Sequence, residues 1–161
     1  MGMFCNFFAY SKDLESIKDI ILNVIVKEEI VRLHDEFKNV IIDGSGQDDF
    51  DIIFDAFSAT IDFLDKEDIE LISGQYRSDF NFSIYLRIMH TVPDYDHQIM
   101  KFIGCIMQRI DSDCAFEDNG DALLLRKAGE IIIDESWSSR LVPFPYEELG
   151  LSYSKGTIVL Y

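Results

Sequence analysis

The side chains with the widest catalytic repertoire in this chain are three histidines, His34, His90 and His97. His34 falls on an apolar helical stripe, which is typical of a core histidine with a hydrogen-bond partner. His90 and His97 flank the turn at Pro93, with Asp94 between them, and this grouping is compatible with a small metal-assisted hydrolase. None of the HxH, HExxH or i, i+4 histidine pairs typical of metal sites occurs. We therefore expect no physiological metal.

Motifs for nucleophiles and nucleotides are missing from the sequence. Gly44-Ser45-Gly46 does not complete the GxSxG pattern of a hydrolase and follows a helix-like segment. Neither GxGxxG nor GxxxxGK[ST] occurs. Adjacent acids such as Asp48-Asp49 and Glu67-Asp68 would act as general acid and base only if burial shifted their pKa values, and nothing in the sequence indicates that. The sequence therefore predicts a non-enzyme with no catalytic residue and no cofactor.

The charge balance is strongly acidic. Thirty acidic residues stand against fourteen basic ones, which gives a formal net charge of −16. Such a surface repels nucleic acids and anionic membranes, so we expect neither as a partner. It attracts basic proteins and accelerates their encounter. Net acidity also keeps a protein soluble, so the charge alone leaves both interpretations open.

The acidic residues are concentrated in two stretches, of which one connects a predicted helix to a predicted hairpin and the other is the polar side of residues 48–68. Either stretch alone is typical of a solvated face, but together they offer a docking surface for a Lys/Arg-rich partner. Trp137 is either an exposed aromatic anchor or a lid on the core. The predicted partner-binding residues are Asp111, Asp113, Glu117, Asp118, Asp121, Glu135 and Trp137.

The cysteines and the N-terminus bear on the compartment. Cys5, Cys105 and Cys114 are odd in number and form no CxxC motif, so they predict reduced thiols rather than a disulfide framework or a zinc site. No basic-then-apolar leader and no apolar stretch of about 18 residues occurs, so neither a signal peptide nor a membrane span is predicted. We expect a cytoplasmic protein.

Alternating apolar residues predict the strands. The clearest strand runs from Phe80 to Met89, and Ile69 to Arg77 is its predicted partner. Residues 3–9 predict a further strand, Gly120 to Asp134 predicts a hairpin, and Thr157 to Tyr161 predicts a last strand.

Helical spacing predicts the remaining elements. Ser11 is a predicted N-cap, and the pattern after it continues to Ile41 as one long helix or two. Apolar residues from Phe50 to Leu64 predict a second helix with an acidic reverse face, and a third runs from Asp94 to about Asp111. The expected fold is one α+β domain, residues 1–161, with an antiparallel sheet of about five strands and helices packed mainly on one face.

From Phe80 onward the order of elements resembles small immunity proteins of bacterial polymorphic-toxin and contact-dependent growth inhibition systems. The resemblance is carried by an alternating strand, a helix that starts at Asp94-Tyr95, the run Gly120-Asp121-Ala122-Leu123-Leu124-Leu125 and the run Gly129-Glu130-Ile131-Ile132-Ile133. It covers about the second half of the chain. The first half departs from the pattern by its longer helical region.

This resemblance implies a function by binding. Proteins of this kind bind a cognate toxin domain in the producing cell and block it stoichiometrically, and many of those toxins are nucleases with basic clefts. An acidic inhibitor fits such a cleft, in agreement with the charge of this chain. The alternatives are the hydrolase based on His90 and His97, and a general acidic adaptor module.

Overall fold

The computed structural model describes residues 3–29, 41–43, 49–89, 91–136, 138 and 140–161. Within this part, the strands are β1 (Phe4–Ala9), β2 (Ile41–Asp43), β3 (Asp49–Ile53), β4 (Phe57–Phe63), β5 (Phe82–Ile88), β6 (Cys114–Asp118), β7 (Asp121–Lys127), β8 (Glu130–Ile133) and β9 (Ser154–Lys155). The helices are α1 (Leu14–Lys18), which continues as a π-helix (Asp19–Glu29), α2 (Lys66–Tyr76), α3 (Tyr95–Met107) and a 3₁₀ turn (Tyr146–Leu149).

All described strands belong to one sheet, in the order β2-β3-β4-β5-β1-β6-β7-β8-β9. Every neighbouring pair is antiparallel except β8 and β9, which are parallel. The predicted α+β class with a mainly antiparallel sheet is confirmed. The predicted number of about five strands was wrong, because strands replace the second predicted helix and further ones form at both edges and in the acidic connection.

The hairpin of β3 and β4 replaces the helix predicted from Phe50 to Leu64. Phe57, Ala59 and Ile61 are fully buried on one side of β4, while the residues between them point to the other side. The apolar residues of this run recur both at helical spacing and at the two-residue spacing of a strand, so the pattern fits either element. The chain turns at Asp55, and the residues on either side of that turn form two strands.

Helix α2 replaces the strand predicted from Ile69 to Arg77. The Asp65 side chain caps the helix by accepting the Asp68 N–H at 2.8 Å. Arg77 ends it in the left-handed conformation with φ of 50°. The side that faces the protein carries Ile69, Ile72, Ser73 and Tyr76, which is helical spacing.

The first helical region begins later than predicted. Its cap is Asp13, not Ser11, and the Asp13 carboxylate accepts the Ser16 N–H at 2.7 Å. The buried residues Ile17, Ile21 and Ile25 recur every four positions, which suits the wider turn of a π-helix. Ile41, assigned by its pattern to the helix, begins β2, and the predicted helical residues 30–40 lie outside the described part.

Helix α3 confirms the helix predicted to begin at Asp94, but it ends at Met107, four residues before the predicted end at about Asp111. Eight of its residues are buried, because the sheet lies on one side and the 3₁₀ turn on another. Gly104 permits this close approach, since a Cβ there would lie 2.4 Å from the Leu149 carbonyl oxygen.

The two faces of the sheet are covered unequally. The π-helix and α3 pack on one face over the main core. On the other face, α2 and Ile158 cover a smaller cluster on β1, β6 and β7, which includes Phe8, Ala115, Ala122 and Leu125. The helices therefore lie mainly, but not all, on one face. The strand predicted from Thr157 to Tyr161 was wrong, since the Ile158 N–H bonds to the Asp134 carboxylate at 2.8 Å instead of to a strand.

Candidate partner-binding site

The acidic run predicted to bind a partner is divided by β6. Asp113 precedes the strand and Asp118 ends it. Five residues of extended chain place the two Cα atoms ~17 Å apart. Strand alternation also places Glu117 and Asp118 on opposite faces. The run therefore forms two separate surfaces, one at each end of β6.

A cavity of 320 Å³ lies at the start of β6 and is lined by Tyr10, Asp79, Ser112 and Asp113. We call it the tyrosine cavity. Tyr10 is 47% exposed, and Asp79 is exposed as well. The predicted residue Asp111, also exposed, lies one residue before Ser112. An exposed ring beside several carboxylates suits a cationic side chain.

Asp113 fixes the wall of the tyrosine cavity. Its carboxylate accepts a hydrogen bond from the Ser78 hydroxyl at 3.0 Å and another from the Ala128 N–H at 2.9 Å. The Tyr10 N–H donates to the Ser112 hydroxyl at 3.4 Å. The cavity therefore joins the ends of β1, α2, β6 and β7 through hydrogen bonds, which gives it a shape fixed before any partner arrives.

A second cavity, of 340 Å³, lies at the end of β6, and we call it the arginine cavity. Its lining residues are Met3, Tyr95, Asp118, Asn119, Arg140, Leu141 and Val142. The Asp118 side chain is 2% exposed, and its carboxylate lies 3.9 Å from Arg140 Nη1. It also accepts a hydrogen bond from Cys5 Sγ at 3.6 Å. Burial raises the pKa of Asp118, while the Arg140 charge and the Cys5 hydrogen bond lower it.

The Arg140 side chain is also fixed by contacts within the protein. Its guanidinium lies over the Phe144 ring, 3.8 Å from the centroid. Its Nε donates to the Val142 carbonyl oxygen at 3.0 Å, and its buried Nη1 has no hydrogen-bond partner. Because Asp118 and Arg140 are both more than nine-tenths buried, this pair connects the end of β6 to the segment after β8.

Glu117 lies on the α2 side of the sheet. Its carboxylate accepts a short hydrogen bond from the Tyr76 hydroxyl. Burial raises the pKa of Glu117, the Tyr76 hydrogen bond lowers it, and the charge of Asp121 raises it further. Burial together with the Glu117 charge also raises the pKa of the Tyr76 hydroxyl. This pair attaches α2 to the sheet.

The other predicted residues lie near the end of β6 or outside the described part. Asp121 is half-buried and pairs with Asp118 in the β6–β7 register. Glu135 forms an ion pair with Lys155 at 3.6 Å. Trp137 lies outside the described residues. Tyr10 and Asp79 were not predicted, although Tyr10 follows the alternation of β1 and could have been found from it.

The histidine grouping is described only in part, because His34 and His90 lie outside the described residues. His97 Nδ1 lies 3.1 Å from the Glu148 carboxylate, and Lys101 Nζ lies 3.5 Å from its other oxygen. The hydrogen bond to Glu148 raises the pKa of His97. In the described part of the chain, no three His, Cys, Asp or Glu side chains are grouped to hold a metal ion.

The cysteines are buried, and Cys5, Cys105 and Cys114 form no disulfide. Burial raises the pKa of the Cys114 thiol to about 12 and that of Cys5 still further. No helix in the described ranges has the length and apolar character to cross a membrane.

Comparison with known proteins adds no relative to these observations. The chain matches no family model, no curated protein and no solved structure.

Proposed function

We propose that this chain is an immunity protein, which binds a cognate basic toxin domain one-to-one and neutralises it. The observation that carries the proposal is the tyrosine cavity, where the exposed ring of Tyr10 stands among carboxylates. The resemblance of the second half of the chain to immunity proteins supports the same function.

The chemistry of the cavity favours a lysine or arginine from the partner. The Tyr10 ring can accept the cation on its face, and Asp79 and Asp111 supply negative charge nearby. Because hydrogen bonds already fix Asp113, little conformational entropy is lost when the partner binds.

The net charge of −16 acts at longer range. It steers a basic domain towards the protein and makes the association rate sensitive to salt. A toxin that binds nucleic acid has a basic cleft, and an acidic protein can occupy the part of that cleft that would bind the phosphate groups. We therefore propose a nuclease-type toxin as the partner.

The test is calorimetric titration with the C-terminal domain of the protein encoded immediately upstream, together with co-expression of the two proteins in cells. We expect one-to-one binding, rescue of growth, and a Kd that rises about tenfold for Tyr10→Ala. Leu71→Ala, at an exposed residue of α2, is the control and should bind as the unsubstituted protein does.

Two results would contradict the proposal. One is the absence of binding at low salt. The other is binding without rescue of growth, which would favour the adaptor module instead.

A further inference from the structure

Among the residues that the structure describes, no helix packs on one face of β3, β4, β5 and the first residues of β1. It is the face opposite α3. Helix α2 lies on this same side of the sheet, but it packs farther along, against residues of β1, β6 and β7. We call it the open sheet face and define it by Phe4, Asp51, Ile53, Thr60, Tyr85 and Arg87.

Exposure separates this face from its reverse. Tyr85 is 41% exposed and Ile53 is 40% exposed, whereas Ile84 and Leu86, which flank Tyr85 on the other side of β5, are fully buried. Met89, just after the strand, is 43% exposed. Large apolar side chains grouped in this way are typical of surfaces that bind another protein.

The polar groups of the face are oriented beside its aromatic centre. Thr60 on β4 lies between Asp51 on β3 and Tyr85 on β5, which places Asp51 and Tyr85 two strand spacings, ~10 Å, apart. The Thr60 hydroxyl donates to the Asp51 carboxylate at 2.6 Å and so fixes its direction. The Phe4 ring stacks on Tyr85, with centroids 5.6 Å apart and planes at 27°. An aromatic platform beside a fixed carboxylate suits a lysine or arginine.

The charges of the face agree with a basic occupant. Exposed Asp62 lies on β4 two residues beyond Thr60, so among the side chains described on this face the carboxylates of Asp51 and Asp62 outnumber the guanidinium of Arg87. The whole chain carries a net charge of −16. A partner with positive potential therefore finds an attractive field here, and an acidic partner finds repulsion.

We propose that the open sheet face is a docking surface for a lysine- or arginine-bearing surface of a basic protein domain. The proposal rests on the proposed function, since that domain is the toxin. Tyr10 lies four residues beyond Asn6, the neighbour of Tyr85 on β1, which is ~14 Å along an extended chain. A partner with a footprint of about 800 Å² can cover this face and the tyrosine cavity together.

The test is calorimetric titration of Tyr85→Ala and Tyr85→Lys with the same upstream-encoded domain. Tyr85→Ala should raise Kd about tenfold, and Tyr85→Lys should raise it more because it adds like charge. The matched control is Tyr153→Ala, since Tyr153 is 36% exposed but makes an edge-to-face contact with Tyr146 of the main core. Circular dichroism of each variant verifies that it is folded.

The outcomes separate the surface from the function. Unchanged binding by both Tyr85 variants, with weakened binding by Tyr10→Ala, would overturn the docking surface and leave the proposed function standing. Equal weakening by Tyr85→Ala and Tyr153→Ala would also overturn the surface. No binding by the unsubstituted protein would overturn both proposals.

Discussion

At the start of β6, Asp113 forms the wall of an open cavity beside exposed Tyr10, whereas at the end of the same strand Asp118 is buried against Arg140. Both aspartates are hydrogen-bonded, but the surroundings differ. The first end presents carboxylates and a ring to solvent, and the second connects two segments of the chain inside the protein.

This difference shows that an acidic run in the sequence is not by itself an acidic surface. A strand separates its two ends by its length and its neighbouring side chains by its faces. Substitutions at the start of β6 should therefore affect partner binding, and substitutions at its end should affect folding.

The largest expected effect is that of Arg140→Met. It leaves the buried Asp118 carboxylate without its cation, and we expect a loss of about 3 kcal/mol in the free energy of unfolding near pH 7. Because burial already raises the pKa of Asp118, the loss should shrink as the pH falls and Asp118 becomes protonated. Urea denaturation at several pH values measures it.

Adding Asp118→Asn to Arg140→Met removes the unpaired charge. The double variant should recover most of the lost stability near pH 7, and its stability relative to Asp118→Asn alone should not vary with pH over this range. A double variant no more stable than Arg140→Met would show that the end of β6 does not depend on this charge pair.

The next effect is that of Tyr76→Phe, which removes the donor to Glu117. The raised folded pKa of Glu117 contributes stability below its unfolded pKa, and this contribution is lost as the pH rises through the folded pKa. Without Tyr76 the folded pKa rises further, so the variant should lose about 1 kcal/mol near pH 7 and less in acid. Urea denaturation near pH 7 and in acid measures the two losses. The control is Tyr153→Phe, at a tyrosine that is 36% exposed.

The smallest effect on the free energy of unfolding is that of His97→Ala, at the partly exposed pair with Glu148. The raised pKa of His97 means that its stabilising contribution is complete below the unfolded pKa and is lost as the pH rises through the folded one. We expect the free energy of unfolding to fall by a few tenths of a kcal/mol in acid and to remain almost unchanged in alkali, because solvent screens this partly exposed pair. Loss of neutralisation in a His97→Ala variant that still binds the partner domain would instead favour the hydrolase.

Elements with a single clear period were predictable from the sequence. The alternation of apolar residues around Tyr85 predicted β5, and the apolar stripe after Asp94 predicted α3. The strands β3 and β4 could not be predicted, because the apolar residues there recur at helical spacing as well as at the spacing of a strand. The acidic reverse face expected for this region still exists in part, since Asp51 and Asp62 lie on the open sheet face.

The candidate site was less predictable than the fold. Exposed Asp111 and half-buried Asp113 were identified, but Asp118 belongs to a buried pair with Arg140 and Glu117 to a half-buried pair with Tyr76. Those partners are distant in sequence and become neighbours only when the sheet forms. No local pattern indicates which carboxylate of an acidic run will be buried.

The most direct test is calorimetric titration of Asp111→Asn and Asp118→Asn with the upstream-encoded domain proposed as the partner, at two salt concentrations. We expect Asp111→Asn to raise Kd severalfold at low salt and to reduce the salt dependence of Kd, because it removes an exposed charge that would face a basic partner. Asp118→Asn should leave Kd and its salt dependence unchanged. Weakened binding by Asp118→Asn together with unchanged binding by Asp111→Asn would contradict the assignment of partner binding to the start of β6.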